Sequence, residues 1–325
     1  MEQNIGYIKS IKITGLWGKQ DILWNLRPDA NILSGINGSG KSSILRAVYK
    51  TLYFDRLEYI EEDSSFSKIW ICFSDNEEIR CESVEAKSVS ESVEKASLSS
   101  EGEIRSVERK KDSEYYVVGA TKDLDDFIDS LFINNFDRPL IDSDAIQKLS
   151  DKRVKTELDW QLYKLQSAYL SYQVNIGNRI IKLLSSDDIS SKEKATSISA
   201  KKVLFQDIID DLFCATNKQI DRSKNEIQFI SGNETLSPYQ LSAGEKQVLV
   251  ILLTVLIQDE KPCILLMDEP EISLHIEWQK KLINLIRDIN PKVQIILATH
   301  SPAVIMNGWI DAVTEVSDIS TIYVK

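Results

Sequence analysis

The sequence predicts an α/β fold with a mostly parallel core sheet, and three observations lead to this prediction. A buried strand at Asn31–Ser34 runs into a glycine-rich turn and then into a helix from Lys41 to about Tyr53. Helices and strands alternate between Lys246 and Ala298. One of these strands, Cys263–Met267, is wholly apolar and ends at two carboxylates. Such alternation favours a parallel sheet covered on both faces.

Short strands outside the core sheet indicate a second, antiparallel side sheet. They are predicted at Tyr7–Thr14, Ile22–Leu26, on both sides of Ser74–Asn76 within Lys68–Cys81, and at Tyr115–Val118. The stretch Glu82–Asp112 is rich in Ser, Glu and Lys. Its composition favours a solvated hairpin or mobile loop, and a partner-binding arm is the alternative.

From Asp151 onward the pattern becomes helical. Apolar residues recur at spacings of four and three: Leu158, Leu162, Leu165, Tyr169, Tyr172, Ile176, Ile180 and Leu183. A polar stretch, Ser185–Lys194, separates this long helix from a second one at about Lys201–Ala215. The pair resembles a helical hairpin, and its apolar stripe is more typical of packing than of a ligand site. We expect this lobe to contact a partner or a nucleic acid.

The last part of the chain supplies the remaining elements of the core sheet. Helices are predicted at Lys246–Ile257 and near Ser273–Ile289, and a final strand at Val293–Ala298. Because these elements and the first strands must share one sheet, the predicted core comprises residues 1–55 and 235–325. Residues 56–150 are then a side-sheet and loop insertion, and residues 151–234 an inserted helical lobe.

Composition excludes several classes of protein. The 325 residues include 42% apolar ones, yet no run is long enough to cross a bilayer and no signal peptide is evident. We therefore expect a cytoplasmic protein that does not enter a membrane. Four cysteines without CxxC spacing and two histidines cannot form an ordinary zinc site, so reduced, buried thiols are expected. The net charge of −11 opposes non-specific binding of nucleic acid.

The glycine-rich turn has the chemistry of a phosphate-binding loop. Residues Gly35–Ser42 fit the pattern GxxxxGK[ST] between a strand and a helix. Glycines let the backbone wrap around phosphate, Lys41 reaches the β- and γ-phosphates, and the hydroxyl of Ser42 can ligate Mg²⁺. The candidate nucleotide-binding residues here are Gly35, Asn37, Gly38, Ser39, Gly40, Lys41, Ser42 and Ser43.

Two adjacent carboxylates follow the apolar strand of the C-terminal segment. Asp268 is expected to hold Mg²⁺, and Glu269 to accept a proton from an attacking water molecule. Without the phosphate-binding loop, a solvated turn before Pro270 would be the preferred interpretation.

A second candidate anion-binding helix start lies at Leu241–Gln247, LSAGEKQ. On residues alone, an N-capped core helix is about equally consistent. The segment resembles the signature motif of ABC ATPases. That resemblance implies that Ser242 and Gly244 contact the γ-phosphate of a nucleotide held by the opposite subunit.

Both histidines fall within motifs of the same superfamily. His300, in Thr299–Pro302, follows the last strand and matches the switch histidine in order and spacing. The resemblance implies that it acts at the γ-phosphate. His275 lies in the segment that lines the dimer interface of the superfamily, where interface packing and catalytic communication are both open.

The resemblance extends over Ile8–Ser43 and Thr235–Ala303, under half of the chain. The apolar stretch after the signature and the ending ATHSP resemble the soluble RecF, OLD and SMC type of ABC ATPase. Membership implies ATP and Mg²⁺ as cofactors, hydrolysis of ATP, and an ATP-sandwiched homodimer acting in DNA repair or anti-phage defence. Because only some twenty residues follow the switch motif, we expect any effector, for example a nuclease, to be a separate polypeptide.

Some assignments stay open at the level of sequence. An ABC transporter subunit and a structural DNA-end clamp are the alternative functions. The glutamine loop has no clear counterpart in Phe132–Asp137, and Gln147 and Gln173 are substitutes for it. Trp17 is a candidate to stack on adenine, although a core tryptophan is at least as consistent.

Overall fold

The computed structural model describes residues 6–53, 66–85, 103–109, 114–121, 129–134, 153–185 and 191–323. The chain forms two compact units. The first comprises Met1–Asn134, Pro262–Glu269 and Gln294–Lys325, and the second comprises Asn135–Lys261 and Pro270–Val293.

A five-stranded sheet with the order β14-β3-β13-β12-β8 forms the centre of the first unit. Its strands are β3 (Ala30–Ser34), β8 (Asp129–Asn134), β12 (Cys263–Asp268), β13 (Val293–Ala298) and β14 (Val313–Glu315). The pairs β12–β8, β13–β3 and β14–β3 are parallel. Every residue of β12 and β13 is buried, as expected for parallel strands with both faces covered.

A seven-stranded sheet with the order β15-β2-β1-β4-β5-β7-β6 lies in the same unit. Its strands are β1 (Ile8–Leu16), β2 (Gln20–Asn25), β4 (Lys68–Phe73), β5 (Glu78–Glu85), β6 (Glu103–Arg109), β7 (Glu114–Ala120) and β15 (Ser320–Ile322). Each of its strand pairs is antiparallel. Alternate residues of β4 are buried, so one face of this sheet joins the core.

Helix α1 (Lys41–Leu52) packs against both sheets of the first unit. Its residues Ile44, Leu45 and Val48 are fully buried in the main apolar cluster, together with side chains of β1, β4, β12 and β13. Two short helices, α6 (Pro302–Ile305) and α7 (Val316–Ile319), also belong to this unit. The core therefore fixes the N-terminal end of α1 beside the end of β3.

The second unit is mainly helical. It contains α2 (Glu157–Leu184), α3 (Ser191–Phe213), α4 (Ala243–Leu256) and α5 (Ile276–Ile289). A small antiparallel sheet of β9 (Gln219–Ile220), β10 (Phe229–Ser231) and β11 (Glu234–Leu236) follows α3. Helix α4 packs against α2, α3 and α5. All but its first two residues are buried, so α4 forms the centre of this unit.

The predicted fold class is confirmed: a mostly parallel sheet, an antiparallel side sheet and a helical hairpin are all present. Within Glu82–Asp112, β5 continues to Glu85 and β6 pairs with β7, which agrees with the hairpin interpretation rather than the mobile loop; residues 86–102 and 110–113 lie outside the described residues. One predicted element was wrong in detail. The second hairpin helix starts at Ser191, about three turns before the predicted Lys201.

The boundaries of the two units differ from the domain boundaries proposed from the sequence. The signature helix α4 and helix α5 group with the hairpin, because their apolar faces pack there. The proposed boundaries followed the continuity of motifs along the chain, whereas the units follow side-chain packing.

All four cysteines are free thiols. Burial raises the pKa of Cys81 and of Cys263 to about 12, so both thiols are neutral at pH 7. Cys214 is exposed, which corrects the expectation that all the thiols are buried. It begins an exposed turn directly after α3, where packing excludes less solvent.

Candidate functional site

The candidate phosphate-binding loop connects β3 to α1 in the first unit. Gly38 and Gly40 have φ of 79° and 108°, in the left-handed region that favours glycine. A Cβ on Gly40 would also lie only 3.0 Å from the ring of Trp17. Asn37 is exposed, Ser43 is half-buried, and the hydroxyl of Ser39 is buried without a hydrogen-bond partner. The loop therefore presents backbone, with little side-chain bulk, at the start of α1.

Lys41 is buried at the first position of α1, and its ammonium group turns back over the loop. Its Nζ donates to the carbonyl oxygens of Gly35 and Ile36, at 3.0 and 3.2 Å. It also lies 2.7 Å from Nε2 of His300.

Ser42 and Asp268 bring two oxygen ligands together. The hydroxyl of Ser42 donates to Oδ1 of Asp268 over 2.9 Å. Burial raises the pKa of Asp268; the bond from Ser42 and the cations Arg46 and Lys41 act in the opposite direction. A buried carboxylate beside a hydroxyl is a hard donor pair that suits Mg²⁺. Among the described residues there is no cluster of three or more His, Cys, Asp or Glu that could hold a metal by itself.

Glu269 has an unusual backbone conformation for a glutamate. Its φ is 47°, in the left-handed region, which costs a non-glycine residue about 1 kcal/mol or more. Its N–H donates to the carbonyl oxygen of Ala298 at the end of β13, over 2.8 Å. Tertiary structure therefore holds the residue in a conformation that its own preferences oppose.

His300 lies between the cation and the carboxylate of the site. Its Nε2 is 3.4 Å from Oε1 of Glu269, in addition to its contact with Lys41. The side chains of His300 and Glu269 remain 36% and 29% exposed, so a small molecule can reach both. The preceding residue, Thr299, is buried and its N–H donates to the carbonyl oxygen of Leu33 in β3.

These groups come together because β3, β12 and β13 are neighbouring strands whose carboxyl ends share one edge of the sheet. The loop follows β3, the two carboxylates end β12, and His300 follows β13. Side chains from three distant parts of the chain therefore form one site that combines a cation, a histidine, a hydroxyl and two carboxylates. Such a set can bind phosphate, hold a divalent cation and remove a proton from water.

The signature segment lies in the second unit. Ser242 is the N-cap of α4 and forms a capping box with Glu245, whose Oε2 accepts from both the backbone and the hydroxyl of Ser242 at 2.9 Å. Oε1 of Glu245 accepts from Thr216 and Lys218, at 2.8 and 2.7 Å. Burial alone would raise the pKa of Glu245, but these hydrogen bonds hold it below its usual value. The helix start is thus built around an ionised glutamate.

Gly244 is required by packing within the second unit. A Cβ on this residue would overlap the carbonyl oxygen of Ser273. The segment after β12 therefore lies directly against the signature helix. His275, two residues later, caps α5: its Nδ1 accepts from the N–H of Glu277 at 3.3 Å.

The structure narrows the choice of a glutamine loop. Asn134, the last residue of β8, pairs in register with Asp268, so β8 ends beside the site. Gln147 lies outside the described residues. Gln173 is in the middle of α2, where it bonds the carbonyl oxygen of Asn225 and Lys202, so it does not follow a strand. Trp17, the candidate from the sequence for stacking on adenine, is half-buried against the core, beside Gly40.

Two features of the site could not be read from the motifs alone. The charge of Arg46 acts to lower the pKa of Asp268. Arg46 lies four residues after Ser42, on the same face of α1, and this spacing is the sequence signal that could have pointed to it. Lys246 forms a buried ion pair with Asp159, 2.8 Å apart, at the start of the hairpin helix α2. The two are 87 residues apart, and no local pattern joins them.

Comparisons with known proteins are consistent with this geometry. The family model AAA_21, described as "AAA domain, putative AbiEii toxin, Type IV TA system", matches residues 30–307. The chain is 26% identical over 172 residues to "Retron Vc95 probable ATPase" of Vibrio cholerae, covering 49% of this chain and 32% of that protein. It is 32% identical over 118 residues to a "Putative ABC transporter ATP-binding protein" of Clostridium acetobutylicum, covering 30% of this chain and 41% of that protein.

Among solved structures, the SMC head domain from Thermotoga maritima matches over 98% of this chain and 99% of that one, with 18% identity and a TM-score of 0.43. The chain spans well under half the length of the two sequence relatives. Within the part of the chain that the structure describes, no helix combines the length and apolarity that a bilayer crossing requires. Because the family model covers most of the chain and includes the loop, both carboxylates and His300, the protein belongs to the AAA_21 family of nucleotide-binding ATPase domains.

Proposed function

We propose that this chain hydrolyses ATP and acts as a nucleotide-dependent dimeric switch, in the cytoplasm, that controls a separately encoded effector in DNA repair or anti-phage defence. The convergence of Lys41, Ser42, Asp268, Glu269 and His300 at one sheet edge is the observation that carries the proposal. The similarity to a retron ATPase supports the defence role.

Each side chain then has a distinct part in hydrolysis. The ammonium of Lys41 exchanges its bonds to the loop carbonyls for oxygens of the β- and γ-phosphates. Ser42 and Asp268 hold Mg²⁺, which neutralises phosphate charge when it is bound. Glu269 accepts a proton from the attacking water, and His300, beside both Lys41 and Glu269, contacts the γ-phosphate.

The second half of each site comes from the other subunit in this proposal. Ser242 and Gly244 begin a buried helix of 14 residues, whose N-terminal N–H groups favour an anion. Glu245 is held by Thr216 and Lys218, so the capping carboxylate stays in place when the hydroxyl of Ser242 turns towards a phosphate. A nucleotide held by Lys41 of one subunit and Ser242 of its partner would join the two chains.

Mixing two inactive variants tests this arrangement. Lys41→Ala removes the phosphate-binding cation, and Ser242→Arg places bulk and charge where the partner's nucleotide must bind. Each homodimer then has no complete site, whereas a heterodimer has one intact site and one with both changes. In an equal mixture we expect about a quarter of wild-type turnover, because random pairing makes half of the dimers mixed.

The controls address folding, because Ser242 also caps α4. Losing an N-cap costs about 1 kcal/mol, so both variants are compared with wild type by circular dichroism and thermal melting. Wild type mixed with Lys41→Ala gives the reference for a single intact site. No recovery of activity, with heterodimers demonstrated by tagged co-purification, would mean that either the two sites must fire together or Ser242 does not act on the partner's nucleotide.

A transporter motor is the second candidate, favoured by the similarity to the Clostridium acetobutylicum protein. Such a motor works with a membrane permease. Purification of the native protein from detergent-solubilised cells distinguishes the two functions. Stoichiometric recovery with a permease would replace the proposed switch, whereas recovery without membrane proteins supports it.

A further inference from the structure

The hairpin helix α2 carries two apolar stripes, only one of which is buried. The buried stripe faces the second unit and contains Leu158, Leu162, Tyr169, Tyr172 and Ile176. We call the other stripe the outer seam. Its residues alternate at spacings of four and three, as in a coiled-coil heptad: Tyr163, Ser167, Leu170, Val174, Gly177, Ile181 and Leu184.

The outer seam is open to solvent along most of its length. Val174, Ile181 and Leu184 are 61%, 64% and 56% exposed, and Tyr163 is 37% exposed. A Cβ on Gly177 would meet no atom within 4 Å, so no described residue covers the middle of the seam. The seam spans about 32 Å at the helical rise per residue. Single exposed apolar residues are ordinary, but five apolar residues in heptad register, interrupted only by Ser167 and Gly177, are typical of a surface that binds another helix.

A cavity of about 570 Å³ opens at the N-terminal end of the outer seam. Tyr163, Ser167 and Leu170 of the seam line it, so the seam and the cavity form one continuous surface. Two cations in its lining lie over aromatic rings: Arg153 over Tyr239 at 5.3 Å, and Lys164 over Trp160 at 5.4 Å. The volume suits a large anchoring side chain, and the cations favour an acidic neighbour.

The charged residues around the outer seam and its cavity indicate which kind of partner can bind there. Between Trp160 and Leu184 the helix has three basic residues and no acidic one, in a chain of net charge −11. Arg179 is paired with Asp259, which leaves Lys164 and Lys182 on one side of the seam. Among the described residues that line the cavity, Glu226 is the one carboxylate, and Arg153 and Lys164 oppose it. The face is therefore apolar along its middle and basic along its border.

An acidic helix fits this face better than two other occupants. Pairing with α2 of a second copy would set lysine borders against each other. A nucleic acid needs many phosphate contacts and gains little from an aliphatic strip. Glutamates beside an apolar seam would meet Lys164 and Lys182 while leucine-like side chains cover Val174 and Ile181.

We propose that the outer seam and its cavity bind an acidic amphipathic helix of the effector protein. This inference rests on the proposed function, since it assumes a separately encoded partner. Gly177 then lets the bound helix approach closely, and an apolar anchor of that helix enters the cavity.

A designed peptide tests the surface directly. The probe is a fluorescein-labelled peptide of about four heptads, with leucine or isoleucine on its seam and glutamate on both borders. Fluorescence anisotropy measures its binding to the full chain. Val174→Glu and Ile181→Glu should each weaken binding by about tenfold or more, because each places a charge on the apolar contact. Asn175→Glu is the matched control, since it adds the same charge at the adjacent exposed position and should change binding by less than about twofold.

The peptide readout separates this proposal from the proposed function. All three variants should keep wild-type melting temperature and ATP turnover, so loss of peptide binding in active protein supports the seam. Equal binding of a lysine-bordered peptide, or equal binding by Val174→Glu, would overturn it. A single-stranded oligonucleotide that displaces the peptide and depends on Lys164 alone would show a nucleic-acid surface instead. Self-association of the wild type that Val174→Glu abolishes would show a second copy as the occupant.

Discussion

At the scale of single residues, the contacts among Lys41, His300 and Glu269 connect the phosphate-binding cation to the proposed base. Nε2 of the imidazole of His300 lies 2.7 Å from Nζ of Lys41 and 3.4 Å from Oε1 of Glu269. Movement of the ammonium towards a phosphate would release Nε2 of His300. In the proposed mechanism, Nε2 would then be available to the γ-phosphate.

Glu269→Gln isolates the proton-accepting role of the carboxylate. Glutamine keeps the shape and the left-handed backbone conformation, so the melting temperature should stay within a degree or two of wild type. Turnover should fall by roughly 10²–10⁴-fold, since the amide cannot take a proton from water. Binding of a fluorescent ATP analogue and steady-state phosphate release measure the two effects. Unchanged phosphate release would exclude Glu269 as the base.

Gly244 shows why one substitution cannot assign a role to the signature. Any side chain here collides with the carbonyl of Ser273, so Gly244 variants should lose activity through packing alone. Ser242 faces no such clash, although it caps α4. The hydroxyl of Ser242 is therefore the informative position for contact with a nucleotide.

At the scale of elements, polar contacts tie the start of α4 to both arms of the hairpin. Glu245 bonds Thr216 and Lys218, which follow α3, and Lys246 pairs with Asp159 in the first turn of α2. The side chains of Lys246 and Asp159 are only 10% and 3% exposed. A variant in which the hairpin is shortened must therefore keep Asp159, so that Lys246 of the signature helix α4 retains its ion pair.

Lys246→Met should destabilise the second unit by about 3–5 kcal/mol, because it leaves the carboxylate of Asp159 buried without its cation. Adding Asp159→Asn should recover part of the loss, since no unpaired charge then remains and the amide oxygen can still accept from the N–H groups of Lys155 and Thr156. The same Lys→Met change at Lys280, in the exposed pair with Glu277, should cost less than about 1 kcal/mol. Urea unfolding followed by tryptophan fluorescence measures all three variants. Equal effects at Lys246 and Lys280 would contradict the importance of burial.

At the scale of the whole molecule, the residues of the proposed site are divided between two compact units. Lys41, Asp268, Glu269 and His300 belong to the first, and Ser242 and Gly244 to the second. If a complete site needs Ser242 of another chain, the rate of ATP hydrolysis must depend on the fraction of chains that have formed dimers.

Wild-type turnover per subunit should therefore rise with protein concentration and then saturate. The increase should follow the dimer fraction measured by analytical ultracentrifugation in the presence of ATP. Ser242→Arg should stay inactive over the same range. Constant turnover far below the dimerisation midpoint would show that each chain hydrolyses ATP alone, and the two inactive variants would then recover no activity on mixing.

The sequence by itself determined the position of the candidate phosphate-binding loop, the two carboxylates after β12 and the alternation of helices and strands in the core. These features depend on short segments, in which glycine spacing and uninterrupted apolar runs are compatible with few alternative structures. A mostly parallel core sheet was predicted from that alternation, whereas the order of its strands came from the structure. The start of α3 was missed, since its polar, weakly periodic sequence gains its structure from packing.

Only the tertiary structure decided which distant side chains meet. The contact between Lys41 and His300 joins residues 259 positions apart, and the left-handed conformation of Glu269 depends on a hydrogen bond to a different strand. The ion pair of Lys246 and Asp159, and the exposure of the outer seam beside a buried stripe of the same spacing, are likewise invisible to local patterns. These four features share one physical reason. Periodicity in the sequence shows which face of an element is apolar, but burial and long-range pairing depend on which other segments the fold places against that face.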